Sequence, residues 1–166
     1  MKNILGFKFS GINCGLKKSK KKDLGLIMSS EKCISHAVFT KNKILAAPLI
    51  VSKKTIKNNG IYGVIVNSGN ANACTGIEGI KAVEKTINKA ADFTNLNKDN
   101  FFVSSTGIIG IQLDVNKITN NFDRLFNNVI IEKYEIGFPV LVLVKYWILL
   151  ILPPVAYSLS LKSGSK

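Results

Sequence analysis

Two short stretches hold the residue types that chemistry needs. Asn67-Ser68-Gly69-Asn70-Ala71-Asn72-Ala73-Cys74-Thr75-Gly76 packs three asparagines and two glycines into ten residues. Both types tolerate left-handed backbone, which frees N–H groups from regular pairing. Ahead of a helix such a turn favours anions; the other reading is a tight turn with a purely structural role. It is not a phosphate loop, because the GxxxxGK[ST] spacing and its lysine are missing. The second stretch is Ser104-Ser105-Thr106-Gly107-Ile108-Ile109-Gly110. At a strand end, the Thr106 hydroxyl and the Gly107 amide can aim two donors at one developing negative charge, as an oxyanion hole for acyl transfer requires. Taken alone, a Ser-Ser-Thr-Gly turn is common and weakly specific.

The elements around these stretches must deliver them to one place. Ile61 to Val66 is rich in β-branched residues and predicts a buried strand running into the first stretch. From Gly76 to Phe93 the period changes: Ile77, Ile80, Val83, Ile87 and Ala90 recur at three- and four-residue steps, the mark of an amphipathic helix. Thr75-Gly76-Ile77-Glu78 has capping-box spacing and places that helix start at Thr75. Phe101 to Ser104 predicts the strand that leads into the second stretch. Asp114 is placed to cap a further helix whose apolar face is Val115, Ile118, Phe122, Leu125, Phe126 and Val129. Upstream, Leu24–Ser29 and Cys33–Phe39 are apolar runs split by Ser30-Glu31-Lys32, and predict two adjacent antiparallel strands. The alternation of strands, glycine-rich turns and helices makes this an α/β (or α+β) fold, a mixed sheet with packed helices.

Composition bounds the rest. A chain of 166 residues fits one domain, and 46% hydrophobic residues with a mean hydropathy of +0.20 exclude a disordered polyelectrolyte. Its net charge of +13 comes from 22 lysines and a single arginine, Arg124. That bias fits an A+T-rich coding sequence better than a need for arginine forks. Residues 1–60 carry 13 lysines against two acids, Asp23 and Glu31. The densest run, Lys17-Lys18-Ser19-Lys20-Lys21-Lys22, has no interleaved aromatics, so it reads as a solvated loop and not as a nucleic-acid surface. Cys14, Cys33 and Cys74 are widely spaced and form no CxxC, and His36 is the sole histidine, so no metal site is expected. His36 lies inside an apolar run and is read as a buried or half-buried structural residue. Unpaired cysteines and an N-terminus without a signal-peptide apolar run predict a reduced, cytoplasmic protein.

In order along the chain stand Gly6-Phe7-Lys8, Lys17-Lys18-Ser19, Lys22-Asp23-Leu24, Ala37-Val38-Phe39-Thr40 and Ala46-Ala47-Pro48. Val66 through Gly76 and Ser105-Thr106-Gly107-Ile108-Ile109-Gly110 complete the series. From about residue 6 to residue 128 this order resembles the N-terminal part of the ornithine acetyltransferase family, the bifunctional glutamate N-acetyltransferases of arginine biosynthesis. The resemblance implies transfer of acetyl from N-acetylornithine to glutamate, with acetyl-CoA as a further donor in some members. It implies a precursor that cuts itself at an Ala-Thr bond, so that the freed threonine serves as nucleophile with its own α-amine as base. Thr106 and Gly107 match the family's oxyanion-hole pair. The resemblance further implies a cytoplasmic heterotetramer of two α and two β chains, with small-molecule substrates and no resident cofactor or metal.

Beyond residue 128 the family pattern is expected to stop. The Thr-Thr-Asp-Thr segment, the Lys-Gly-rich stretch and the Ala-Thr pair of the family are not in these residues, and the last threonine is Thr119. Residues 1–128 are therefore read as an incomplete α-chain-like domain that lacks the nucleophile and is inactive alone. Residues 129–166 are read as a hydrophobic tail of non-family character, explained by a frameshift or early stop. Phe138 to Leu152 is shorter than the ~20 residues of a spanning helix. Pro153-Pro154 ends any helix, and Lys145 would oppose insertion by about 3 kcal/mol. A non-enzymatic module that uses residues 138–161 to dock on a membrane or partner is the alternative.

Overall fold

Apolar residues that alternate with polar ones form the sheet, and those that recur every three or four residues form the helices that cover it. The computed structural model describes residues 6–58 and 60–128, and the backbone of 130–131, 140–144 and 147–152. Strand β1 (Phe7–Ile12) pairs antiparallel with β2 (Leu24–Val38), which pairs antiparallel with β3 (Ile61–Asn70). β4 (Phe101–Ile108) lies parallel to β3, and β5 (Ile130–Ile131) closes the other side against β1, giving the order β4-β3-β2-β1-β5. The parallel pair needs a crossover. Helix α2 (Gly76–Thr94) supplies it, after the shorter α1 (Ala47–Thr55) has passed before β3. Two short helices follow, α3 (Val115–Thr119) and α4 (Phe122–Asn127). The fold is thus α/β with a mixed sheet, as the alternation of elements implies.

Neighbouring residues of the central strands face opposite ways and build two cores. Leu24, Leu26, Ile65, Phe101 and Val103 pack with Val83, Ile87 and Ala90 of α2 and with Ile118, Phe122 and Leu125 of α3 and α4. On the other face Phe7, Cys33, Ile61, Val64 and Phe102 cluster with Leu49 of α1. Phe126 bridges the helices, its ring 4.7 Å from that of Phe93 and 5.5 Å from that of Phe122.

Three expectations are corrected here. Leu24–Ser29 and Cys33–Phe39 are not two paired strands but one long strand, Leu24–Val38, because pairing with β1 up to Ser29 and with β3 on both sides of Ser30-Glu31-Lys32 keeps the triplet extended. The chain bulges instead: Met28 pairs with Gly63 and Cys33 with Ile61, and the Glu31 N–H donates to Ser29 Oγ at 3.2 Å. The single helix expected after Asp114 is two, since Asn121 turns its side chain back to the Lys117 carbonyl at 2.9 Å and breaks the run. Its apolar face is otherwise as read, with Ile118, Phe122 and Leu125 buried; Val129 lies outside the described residues. His36 is exposed, because it falls between buried Ser35 and half-buried Ala37 on an alternating strand.

Within the hydrophobic tail, the described backbone forms an antiparallel hairpin, β6 (Val140–Val144) and β7 (Trp147–Leu152). β7 pairs with the second half of β2, from Ile34↔Leu152 to Val38↔Ile148. Alternating valines and leucines suit a strand better than a helix. No helix among the described residues is long and apolar enough to cross a membrane. Residues 132–139 and 153–166 lie outside the described residues.

Leu125 is fully buried where α4 meets the sheet. Truncating it leaves a cavity that rigid neighbours fill only in part, so Leu125→Ala is expected to destabilise the fold by about 2–5 kcal/mol in urea unfolding.

Candidate active site

The parallel pairing of β3 and β4 brings the two chemistry-bearing stretches side by side. Asn67 lies opposite Ser105, Ser68 opposite Thr106 and Gly69 opposite Gly107. Both strands run further than the sequence pattern indicates, so Asn67–Asn70 and Ser104–Ile108 are strand ends and not turns. The ladder loses register at Gly69–Asn70. There Gly107 has φ +137°, and a Cβ on it would lie 2.3 Å from the carbonyl carbon of Gly69 and 2.5 Å from the Asn70 nitrogen. No other residue fits that position. Beyond it, Ala71 N donates to Ile108 O and Gly110 N to Ala73 O, both at 2.9 Å, which laces the outgoing chains together. Thr106 is half-buried and Gly107 exposed, so both face accessible space at the end of the sheet. Among the described residues nothing hydrogen-bonds the Thr106 hydroxyl. A free hydroxyl beside a fixed glycine can donate to an oxygen that gains charge.

Side-chain amides hold this corner in shape. Ser105 Oγ donates to Asn67 Oδ1 at 2.6 Å, and Asn67 Nδ2 donates to the Asn70 carbonyl at 2.9 Å. Asn70 Nδ2 reaches the Ile111 carbonyl at 3.0 Å, while its Oδ1 accepts from the Asn72 N–H at 2.7 Å. Asn72 is wholly buried with φ +46°. Its Nδ2 donates to Gly79 O at 2.9 Å and its Oδ1 accepts from Thr75 Oγ1 at 2.8 Å. Thr75 does sit at the N-cap of α2, but its hydroxyl serves Asn72 and not the helix. Glu78 pairs with Lys81 at 2.7 Å, so the capping box expected from the spacing does not form. Cys74 is exposed beside it with φ +57°.

One residue missed by the sequence reading anchors the approach to this corner. The buried Asp23 carboxylate accepts the N–H of Cys14 on Oδ1 at 2.6 Å and that of Lys17 on Oδ2 at 2.8 Å. Its backbone carbonyl accepts from Ser68 N at 2.8 Å, which ties the lysine loop to β3. A lone acid ending a lysine run was the available signal. Burial alone would raise its pKa, but the N–H donors of Cys14, Lys17 and Leu16 with the Cys14 thiol hold it below the usual carboxylate value. The same contact works the other way on Cys14: burial, then the Asp23 hydrogen bond and charge, push its thiol up to about 12. Leu16 and Lys17 lie against Gly69, where a Cβ would stand 3.1 Å from Lys17 Cγ and 3.2 Å from the Leu16 carbonyl oxygen. The expected solvated loop is found, with Lys18, Lys20, Lys21 and Lys22 exposed.

Elsewhere the surface offers less. A groove of about 870 Å³ between α2 and the α3–α4 segment is lined by Lys81, Glu84, Lys85, Asp92 and Asp123 among others, with none of the two stretches in its wall. The described residues contain no His, Cys, Asp and Glu group able to hold a metal ion.

The ArgJ family model matches residues 8–137, and the chain belongs to the ArgJ family. It is 39% identical over 125 residues to the arginine biosynthesis bifunctional protein ArgJ of Thermotoga neapolitana, covering 74% of this chain and 31% of that one. With ArgJ 2 of Clostridium acetobutylicum the identity is 44% over 130 residues, 78% of this chain and 33% of the relative. The chain thus spans about a third of the length of these curated relatives. The crystal structure of ArgJ from Bacillus halodurans superposes with a TM-score of 0.68 at 39% identity, covering 71% of this chain and 62% of the other. Ornithine acetyltransferase from Mycobacterium tuberculosis, solved with ornithine, gives 0.70 at 27% identity, with 76% and 69% covered.

Two outcomes follow from the geometry. Alanine normally favours a helix interior over glycine by about 1 kcal/mol. At Gly79 a Cβ would meet Thr75 Oγ1 at 2.0 Å and Asn72 Oδ1 at 2.6 Å, so Gly79→Ala is expected to lower the urea midpoint instead of raising it. Asp23 has a folded-state pKa below its unfolded one, so its contribution is complete above about pH 4 and is lost as pH falls through the lowered value. Stability measured between pH 6 and pH 2 should fall more steeply for the wild type than for Asp23→Asn, which starts lower and lacks this titration.

Proposed function

We propose that Thr106 and Gly107 form the oxyanion hole of an acetyltransferase of arginine biosynthesis. The observation that carries this reading is the apposition of Gly107 on Gly69–Asn70 beside a Thr106 hydroxyl with no partner among the described residues. Acyl transfer places negative charge on the carbonyl oxygen twice, once as the acetyl group leaves its donor and once as it reaches its acceptor. In the reaction that family membership suggests, a threonine hydroxyl attacks the acetyl carbon of N-acetylornithine. The carbonyl oxygen gains the electron pair and is held by the Thr106 hydroxyl and the Gly107 amide. Collapse breaks the C–N bond, and the ornithine amine leaves with the proton that the base removed from the hydroxyl. Glutamate's amine then attacks the acetyl-threonine ester through a second oxyanion in the same hole, and collapse breaks the C–O bond, the proton lost by the amine passing to the departing threonine oxygen. Acetyl-CoA serves as donor by the same first step, with a thiol as leaving group.

The attacking threonine is not among these residues, since none follows Thr119 in the 166 given. The chain as it stands contributes the hole and relies on further polypeptide for the nucleophile, so alone it is inactive. Assembly as two α and two β chains in the cytoplasm belongs to the same reading. The division into an α-chain-like portion and a tail of different character belongs to it too, with the change of character falling beyond the expected residue 128, since the family match runs to residue 137.

Replacing the matching third of the Thermotoga neapolitana relative with residues 8–128 of this chain tests the assignment. The graft is expected to transfer acetyl from N-acetylornithine to glutamate, and Thr106→Ala within it to lower kcat by about 10²–10³. The 166-residue chain by itself should give no turnover. Full activity of the Thr106→Ala graft would sink the hole assignment, and turnover by the chain alone would sink its dependence on another segment.

A further inference from the structure

We propose that Asn67 and Ser105 are a pair of positioning residues that set the Thr106–Gly107 donors against the bend of β3. The inference rests on the acyl-transfer reading of that hole and adds what holds its geometry. The two residues stand opposite each other in the parallel ladder, one place before Ser68 and Thr106. Ser105 Oγ donates to Asn67 Oδ1 at 2.6 Å, and Asn67 Nδ2 donates to the Asn70 carbonyl at 2.9 Å. Asn67 is only 1% exposed. One buried amide thus joins the residue before Thr106 to the residue that backs Gly107.

Asn70 is the part of β3 on which Gly107 rests. It pairs with both Thr106 and Ile108, so it straddles Gly107 where the ladder changes register. A Cβ on Gly107 would stand 2.5 Å from the Asn70 nitrogen, which leaves no slack between the two backbones. A register shift disrupts the ladder locally, so ladder bonds alone fix Asn70 less firmly than a mid-strand residue. Side chains take over: Asn67 holds the Asn70 carbonyl, and Asn70 Nδ2 reaches the Ile111 carbonyl at 3.0 Å. The link through Asn67 needs a group that accepts on one atom and donates on the other, which an amide has and a carboxylate lacks. Asn67→Asp keeps the shape and the bond from Ser105 but sets an acceptor against the Asn70 carbonyl. Ser105→Ala removes the other end of the link. A bound substrate's carbonyl is still uncharged, and the charge that the hole serves develops only in the transition state. Displaced donors therefore lower kcat and leave KM nearly unchanged.

The test has two arms. In the ¹⁵N-labelled 166-residue chain, the amide order parameters of Asn70 and Gly107 are expected to match that of Val103. Ser105→Ala and Asn67→Asp should lower both while Val103 keeps its value, and Ser105→Thr should preserve all three. In the graft of residues 8–128 into the Thermotoga neapolitana relative, Ser105→Ala should lower kcat about tenfold at unchanged KM, roughly what one hydrogen bond is worth. Ser105→Thr should restore most of that loss. Wild-type order at Asn70 and Gly107 in Ser105→Ala overturns the pair, and this arm needs no turnover. So does a Ser105→Ala graft whose KM rises while kcat holds, or whose lost kcat Ser105→Thr fails to recover. A graft impaired by Thr106→Ala but fully active with Ser105→Ala keeps the hole and removes the pair. If Thr106→Ala leaves the graft fully active, the hole falls and the positioning role with it.

Discussion

Gly107 lies so close to Gly69 and Asn70 that a single added carbon would stand 2.3 Å from the neighbouring backbone, and much of the site is arranged around that approach. Two parallel strands meet there, and a parallel pair cannot be joined by a tight turn. A crossover helix must leave the end of β3 and return to the start of β4, which is the path of α2. The chain leaving Asn70 must therefore turn sharply away from the very place where Gly107 arrives. Backbone in that bend cannot use the sheet ladder, so its polar groups need other partners. Asparagine side chains supply them. Asn67 holds the Asn70 carbonyl, Asn70 holds the Asn72 N–H, and Asn72 holds Gly79 and Thr75 at the helix start. Each amide both donates and accepts, which serines or threonines could not do with the same reach.

The buried carboxylate of Asp23 carries a second constraint. A charge with 3% exposure is costly unless it is hydrogen-bonded. Here two backbone N–H groups from the 14–17 turn meet it, and its own carbonyl receives Ser68 N from β3. One residue therefore fixes the loop conformation and its position on the sheet together. The neighbouring Cys14 thiol stays protonated because it is buried, because it is hydrogen-bonded to Asp23, and because ionising it would set a second negative charge beside the first. Lys18, Lys20, Lys21 and Lys22 are exposed around this latch.

Local periodicity made much of the fold legible. The three- and four-residue steps of Val83, Ile87 and Ala90 place α2 and its buried face, and the β-branched run from Ile61 places β3. Asn67–Gly76 and Thr106–Gly107 stand out by residue type, and the parallel register brings them together. What local pattern does not carry is partner choice. Ser30-Glu31-Lys32 looks like a break between strands, yet it is a bulge, because whether a polar triplet turns or stays extended depends on what β1 and β3 pair with. The capping box fails for the same reason: Asn72 competes for the Thr75 hydroxyl, and that asparagine is brought there by the bend, not by helix spacing. His36 alternates outward only once the strand is known to be continuous. Asp23 was hidden among lysines whose number suggested a loop governed by solvent.

A hole for an oxyanion works by holding its donors in place before the charge appears, so that no reorganisation is needed at the moment of reaction. Donors on a flexible loop would have to be ordered anew by each substrate. At positions 106 and 107 the backbone is still in register with β3, and the loops on both sides are cross-linked by Ala71 N to Ile108 O and Gly110 N to Ala73 O. Gly107 carries no side chain and is exposed at the sheet end. Rigidity from the ladder and access from the missing side chain are conflicting demands in most strand positions. On the proposed reading of the site they coincide at Thr106–Gly107, the last residues of β4 in register with β3 before the ladder shifts at Gly69–Asn70.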